Sequence, residues 1–380
     1  MQNSRLLQRL AARLSELQQQ SHLRVPAEVA GVNLCSNDYL GLAADPRLKA
    51  ALLEAIEISD RTGSTGSRLL SGYHPAWDEL EAEFAAFAGC ESALFFSSGY
   101  AANTGLLSAL LTAGDVVFSD ASNHASIIDG VRLLRSQKVI YPHCDLDFLE
   151  DALRRHVHGS GARVIVTESI FSMDGDRAPL CELFHLAQKY GAEVIVDEAH
   201  ATGICGPQGR GELAALGLED QALAVVHTCG KALAGAGAFV CGSQVLREFL
   251  INHARSFIFS TALPPYFARY VSTVVRMAYS MDAERAHVAM LAAEMRECLR
   301  VLGFDCRDSS SHIVPLVIGG NEETLRVASA LQESGFAVRA IRSPSVPAGT
   351  ERLRLSLTTR LSLSDVEQFC AALSAVSVLA

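Results

Sequence analysis

The chain has 380 residues, a net charge of −10, 49% hydrophobic and 19% charged residues, a globular balance rather than a disordered or fibrous one. The length suffices for a large core and two or three domains, and the acidic balance argues against a nucleic-acid partner. No apolar run approaches the roughly 20 residues of a membrane span, so no membrane partner is expected.

The first element reads as an amphipathic helix. Leu6, Leu7, Leu10, Leu14 and Leu17 recur at helical spacing, without the continuous apolar core of a secretion signal. Ten cysteines, from Cys35 to Cys370, include no C-x-x-C pair. Neither a metal site nor a disulfide framework is expected, and the cysteines read as buried free thiols of a reducing, cytoplasmic compartment.

Further along, "GSTGSRLLSGYHPAW" (63–77) reads as a Gly/Ser loop able to run close past a ligand. Strands are expected at 93–96, 116–118, 139–141, 163–169, 193–200, 224–229 and 238–242. Several are apolar at successive positions, as in strands buried on both faces. Helical segments such as "LCELFHLAQKYGA" (180–192) alternate with them. The fold class is therefore α/β with a mostly parallel central sheet, and a ligand is expected at the carboxyl ends of the strands. From about residue 281 a long helix, further strands and another helix read as a smaller α+β domain. The expected division is an N-terminal arm over 1–40, a large domain over 41–280 and a small domain over 281–380.

"HTCGKALAGAG" (227–237) sets Lys231 as the only Lys, Arg, Asp or Glu between Gln221 and Leu246. Most lysines in glycine-rich turns are solvated. One held among small packed residues can instead be a nucleophile that forms a Schiff base with a carbonyl cofactor. A P-loop is excluded, because Val225 and Ala232 stand where Gly and Ser/Thr are required. No G-x-G-x-x-G joins a strand to a helix near the start of the sheet, which weakens a dinucleotide reading.

"EVIVDEAHATG" ends a strand at Asp197, with His200 three residues on. Both could be a solvated strand end. At a ligand-bearing edge, the carboxylate could instead keep a pyridine nitrogen protonated and the histidine could reach a phenolic oxygen. "FFSSGYAANTG" turns from strand to helix at Gly99 and Tyr100, where free N–H groups attract phosphate. Thr228 could add a hydroxyl. His124, in "SNHASIIDG", is either a capping histidine or a ring that stacks on a cofactor. Arg352 and Arg354, in "ERLRLSLT", share one face of a strand, where one turned inward could clamp a carboxylate.

The order of these signals resembles the α-oxoamine synthase family of fold-type I pyridoxal-phosphate enzymes. "SNDYLGL" (36–42), "SGYAAN" (98–103), "NHASIIDG" (123–130), "TESIFSMDGDRAPL" (167–180), "VDEAHATGICGPQGRG" (196–211), "TCGKALAGAGAFV" (228–240), "FSTALPP" (259–265) and "RSPSVPAGTERLRLSLT" (342–358) look like its blocks. Nearly the whole chain is covered. The departures are a short segment before "SNDYLG", which bears on the acyl-chain entrance, and Cys229 and Ala236 in place of commoner residues.

The resemblance implies a fold-type I transferase that uses pyridoxal 5′-phosphate to condense an amino acid with an acyl thioester and release CO₂. It implies that Lys231 bonds the cofactor and that Asp197 pairs with the ring nitrogen. His200 reaches the phenolic oxygen, with Ser172 nearby, and His124 stacks on the ring. Gly99, Tyr100 and Thr228 hold the phosphate. Thr261 reaches the phosphate in the neighbouring subunit, so a homodimer is expected. Asn37 and Arg354 hold the amino-acid carboxylate, Glu168 supports Asn37, and Arg342 meets either the acyl chain's far carboxylate or the protein surface alone. The last block and "SGYHPAW" are most similar to the branch that joins L-alanine to a pimeloyl thioester, carried on coenzyme A or acyl-carrier protein. Sister enzymes that take glycine or serine, and a non-catalytic protein of the same fold, are the alternatives.

Overall fold

The computed structural model describes residues 4–26, 28 and 30–378, with the backbone alone for Ser377 and Val378. The chain forms two compact units. The larger holds Asn37–Ser172 and Arg177–His287, and the smaller gathers the chain up to Ser36, Met173–Asp176 and the chain from Val288.

The larger unit is built on seven strands. They are β1 (Ser92–Phe96), β2 (Val116–Asp120), β3 (Gln137–Tyr141), β4 (Arg163–Glu168), β5 (Glu193–Asp197), β6 (Ala224–Thr228) and β7 (Ala238–Gly242). Their spatial order is β1-β7-β6-β5-β4-β2-β3. Neighbours pair in parallel except around β7, which runs antiparallel to both β1 and β6. The apolar runs follow from burial on both faces. Phe95, Phe118, Ile165, Val196 and Phe239 pack on one side, with the helices Pro75–Ala88, Leu180–Tyr190 and Pro265–Tyr279. Phe84 stacks on Phe239 there, ring centroids 3.7 Å apart. Leu94, Phe96, Val117, Val166, Ile195 and Val226 face the other way, toward Gly99–Leu110, Ala125–Leu133 and Gln244–His253. Register brings Glu168 opposite Asp197, and Asp197 opposite Val226. Two carboxylates therefore emerge side by side at the carboxyl edge.

The Gly/Ser loop is pinned rather than loose. Half-buried Arg68 pairs with Glu81 and, at 3.2 Å, with Asp78, while Ser64 Oγ donates to the Leu263 carbonyl at 2.6 Å. At Gly72 a Cβ would lie 2.2 Å from the Gly66 carbonyl oxygen, so only glycine closes this turn.

The smaller unit has its own core, from Leu34 to Val376, under an antiparallel sheet of Ala340–Ile341, Arg352–Ser356 and Ile313–Val317. Val32–Asn33 pairs in parallel with Phe336–Ala337, and Ser356 N–H donates to the Leu34 carbonyl at 2.8 Å. The stretch before Ser36 is thus stitched to C-terminal strands. The helix Arg5–Gln19 buries none of its residues. The reading of all ten cysteines as buried free thiols needs correction: Cys298 and Cys370, on two helices packed against this core, are joined in a disulfide, and Cys181 is exposed. Two cysteines 72 residues apart carry no pairing signal in the chain.

Candidate active site

The carboxyl edge of the sheet opens into a cavity of about 390 Å³ within the larger unit, in the usual range for a small-ligand site. Its lining includes Asn37, Gly99, Tyr100, His124, Glu168, Asp197, His200, Thr228 and Lys231. Residues from six separate stretches of sequence thus meet at one place.

Lys231 sits on the turn between β6 and β7. That turn is closed by Cys229 N–H to the Gly237 carbonyl (2.9 Å) and Gly235 N–H to the Cys229 carbonyl (2.8 Å). Tyr270 Oη donates to the Ala234 carbonyl at 3.0 Å. Gly237 has φ +90°, and a Cβ there would lie 2.0 Å from Phe95 Cζ. Cys229, Ala232 and Leu233 are buried around the lysine, which is itself half-buried in the cavity wall. The small residues let the turn pack against the sheet, so the lysine stem is held at the strand ends.

Asp197 is 4% exposed. Its Oδ1 accepts from Ala199 N–H (2.8 Å) and its Oδ2 from the Asn103 amide (2.6 Å). Two donors favour the ionised form of a buried carboxylate. Glu168, its register partner, accepts from His124 N–H at 2.6 Å. Burial and the adjacent Asp197 charge push the Glu168 carboxyl well above the usual range, against opposing contributions from Lys231 and the His124 N–H. Burial thus disfavours the Glu168 anion, while the Asp197 carboxylate beside it is met by two donors.

His124 does two jobs. Its Nδ1 accepts from Ser126 N–H at 3.2 Å, capping the helix Ala125–Leu133. A backbone N–H can only donate, so Nδ1 is the acceptor and the neutral ring carries its proton on Nε2. Burial lowers the His124 pKa; Asp197 opposes this and Lys231 adds to it. The loop before it is anchored by Asn123 Nδ2, which donates to Ser119 Oγ (2.9 Å) and to the Val166 carbonyl (2.8 Å).

Gly99 opens the helix Gly99–Leu110, whose N-cap Ser98 accepts from Ala101 N–H at 3.0 Å. A Cβ on Gly99 would approach Thr228 Cγ2 to 2.7 Å. The missing side chain lets the helix N-terminus and the Thr228 hydroxyl face one space, which suits an anion. An amine, a buried carboxylate and this anion cradle fit the three ends of a phosphorylated pyridine aldehyde.

Four expected residues stand elsewhere. Ser172 is half-buried but does not line the cavity, and Thr261 is exposed outside it. Arg354 and Arg342 belong to the smaller unit. There Arg352 is held by Asp174, Met173 and Thr350, while Arg354 Nη1 donates to Ser356 Oγ at 2.7 Å. Burial and Arg24 lower the Arg342 pKa.

Sequence reasoning passed over Tyr39, Asn103 and Ser126. Tyr39 is fully buried, with Oη 2.7 Å from His200 Nδ1 and 3.0 Å from Asn37 Oδ1. Asn103 links Asp197 to Ser126. The signal for Asn103 was present, a polar residue among Ala102, Leu106 and Leu107 on a buried helical stripe.

Known proteins bear on this arrangement. The family model for class I and II aminotransferases matches residues 29–373. An 8-amino-7-oxononanoate synthase of Anaeromyxobacter dehalogenans is 47% identical over 345 residues, 91% of this chain and 86% of that one. Among solved structures, a serine palmitoyltransferase variant from S. paucimobilis with bound PLP–myriocin aldimine matches with a TM-score of 0.90 at 31% identity, over 99% and 100% of the two chains. An 8-amino-7-oxononanoate synthase from Francisella tularensis matches with 0.79 at 27% identity, over 92% and 98%. The chain belongs to the class I and II aminotransferase family, as an α-oxoamine synthase of the fold-type I enzymes whose cofactor is pyridoxal 5′-phosphate.

Proposed function

We propose that this chain condenses L-alanine with a pimeloyl thioester, giving 8-amino-7-oxononanoate, CO₂ and the free thiol carrier, a step of biotin biosynthesis. The observation that carries the reading is the single cavity shared by Lys231, Asp197, His200, His124 and the Gly99–Thr228 cradle. The shared name of relatives such as the Anaeromyxobacter and Burkholderia thailandensis proteins supports the choice of substrates.

Pyridoxal 5′-phosphate, when bound, supplies an electron sink for the charge that develops at the amino acid's α-carbon. Lys231 holds it covalently and, as a free amine, takes the α-proton. Asp197 keeps a proton on the ring nitrogen, which requires the carboxylate to be ionised, as its two donors favour. His124 covers the ring as a neutral imidazole, adding no positive charge. His200 addresses the phenolic oxygen through the nitrogen not turned to Tyr39. The N–H groups of Gly99 and Tyr100 and the Thr228 hydroxyl receive the phosphate. Asn37 and Arg354 orient the alanine carboxylate, with Glu168 behind Asn37; Arg342 is assigned to the pimeloyl end, and Ser172 to the support of His200.

The active unit in this reading is a homodimer. Thr261 lies on an exposed loop outside its own cavity and is assigned to the phosphate of the other subunit. A serine-using synthase is the second reading, favoured by the likeness to serine palmitoyltransferase. Mass detection of products from alanine, glycine and serine, each with pimeloyl-CoA, pimeloyl-acyl-carrier protein and palmitoyl-CoA, tests both. Product from alanine with either pimeloyl donor is expected. Product from serine with palmitoyl-CoA alone would replace the first reading with the second.

A further inference from the structure

Behind the cavity wall, two helices approach so closely that side chains can be shared between them. At Gly130 a Cβ would lie 2.9 Å from Leu107 Cδ1 and 3.2 Å from the Asn103 carbonyl oxygen. This contact brings the helix Gly99–Leu110 against the helix Ala125–Leu133 and sets Asn103, 3% exposed, beside Ser126, 1% exposed.

The Asn103 amide nitrogen has two hydrogens and two acceptors, Asp197 Oδ2 at 2.6 Å and Ser126 Oγ at 2.9 Å. Turning the amide over would set its oxygen against a carboxylate oxygen, so the orientation is determined. Ser126 Oγ also lies 2.8 Å from His124 Nδ1. Since Nδ1 accepts, the Ser126 hydroxyl proton points to His124 and its oxygen is left to receive Asn103. The hydrogen bonds therefore radiate from Asn103, which donates to Asp197 on one side and, on the other, to Ser126, whose hydroxyl donates in turn to His124.

We propose that Asn103 is a positioning residue for the reaction: its amide holds the Asp197 carboxylate as an anion in one orientation and, through Ser126, ties that orientation to the ring of His124. The inference rests on the reading of Asp197 as the partner of the cofactor's ring nitrogen. The ionisable groups around Asp197 are its register partner Glu168, the adjacent Glu198, His124 and Lys231. Glu168 and Glu198 would both disfavour the anion if they ionised, and Asn103 is the one neutral side chain among the described residues that directly donates to it.

The test compares cofactor-loaded wild type with Asn103→Leu, Asn103→Asp, Ser126→Ala and Asp197→Asn. Two titrations are read on each: the acid limb of kcat/KM, and the pH at which the visible absorption of the bound cofactor changes. Cofactor dissociation constants accompany them. Asn103→Leu removes the donor. Asn103→Asp, nearly isosteric, replaces it with an acid that must share a proton with Asp197. Both are expected to move the acid limb and the absorption change upward by about one pH unit or more, and to weaken cofactor retention about tenfold. Ser126→Ala spares the Asn103–Asp197 bond and should lower kcat while leaving the acid limb in place. If the leucine variant does not fold, the aspartate variant carries the comparison. Unmoved titrations in the Asn103 variants, with a clear displacement in Asp197→Asn, would overturn the proposal. An unmoved absorption titration in Asp197→Asn would instead remove the assignment of Asp197, and the proposal with it.

Discussion

Lys231 and Glu198 show how burial selects the chemistry of single side chains. Lys231 is the one cation on its turn and lines the same cavity as Asp197. Lys231→Ala is expected to retain the fold and to lose the cofactor adduct that borohydride traps on the wild type, read by intact mass. A trapped adduct at another lysine would refute the assignment. Glu198, 1% exposed, points away into the protein, where its Oε1 accepts from Leu213 N–H at 2.8 Å. Burial raises its pKa to about 8. The buried His227, whose Nδ1 lies 3.9 Å from Glu198 Oε2 and 2.9 Å from Thr202 Oγ1, is lowered to about 3 by burial and by Arg210. The signs oppose each other. A carboxyl raised in the folded state contributes stability below its unfolded pKa and loses it as pH climbs through about 8. A histidine lowered in the folded state costs stability as pH falls from its unfolded value toward about 3. Thermal stability should therefore decline on both sides of a maximum, and Glu198→Gln should flatten the alkaline side specifically. Melting curves of both proteins at pH 6 and pH 9 check this; equal losses over that interval would show that Glu198 does not set the alkaline slope.

At the scale of elements, the sheet edge was readable in the chain because of its physics. Strands buried on both faces must be apolar at consecutive positions, so the central runs between Ser92 and Gly242 announced themselves, the mostly exposed edge strand β3 being apolar only over Val139–Tyr141, and polar residues ending those runs marked the edge that carries Glu168 and Asp197. Direction left no such mark. β7 is as apolar as the parallel strands of the sheet, and the turn that carries Lys231 is what returns it antiparallel to β6. The pairing of Val32–Asn33 with Phe336–Ala337 was equally unreadable, since two-residue strands have no period. Of the site, residues at strand ends and turns were legible as motifs. Asn103 was legible only as a polar position on a buried helical stripe, and Tyr39 and Ser126 were not, because the roles of all three depend on which helix lies against which strand. The start of the helix Gly99–Leu110 gives a test at this scale. Gly99→Ala would set a Cβ 2.7 Å from Thr228 Cγ2, forcing the helix end or the threonine to move. Overpacking of about 1–3 kcal/mol, felt where the phosphate is received, corresponds to cofactor affinity lower by about 5- to 150-fold. Gly114→Ala, where a Cβ meets nothing within 4 Å, should leave affinity unchanged. Equal effects of the two would argue against the cradle.

For the molecule as a whole, the exposed apolar side chains speak to assembly. Leu69, Leu70 and Tyr73 are exposed on the loop that Ser64 and Arg68 fasten to the segment holding Phe257 and Leu263, a segment that also exposes Phe259. Within the protomer these side chains have little to lose: Leu70 is 78% exposed, so a charge there should change folding stability by no more than about 0.5 kcal/mol. In a homodimer that supplies Thr261 to the other cavity, the same charge would be buried against a partner. Leu70→Glu is therefore expected to shift the protein toward monomer in light scattering, and to weaken cofactor binding at the same time, because each cavity would lose the hydroxyl contributed across the interface. Thr261→Ala should weaken cofactor binding without dissociating the dimer. Linkage makes the pair decisive, since a ligand held by two subunits stabilises their association by the same free energy that association adds to its binding. Adding excess pyridoxal 5′-phosphate should then restore part of the dimer in Leu70→Glu and none in Leu70→Glu combined with Thr261→Ala. A Leu70→Glu protein that stays dimeric with unchanged affinity would place the interface elsewhere.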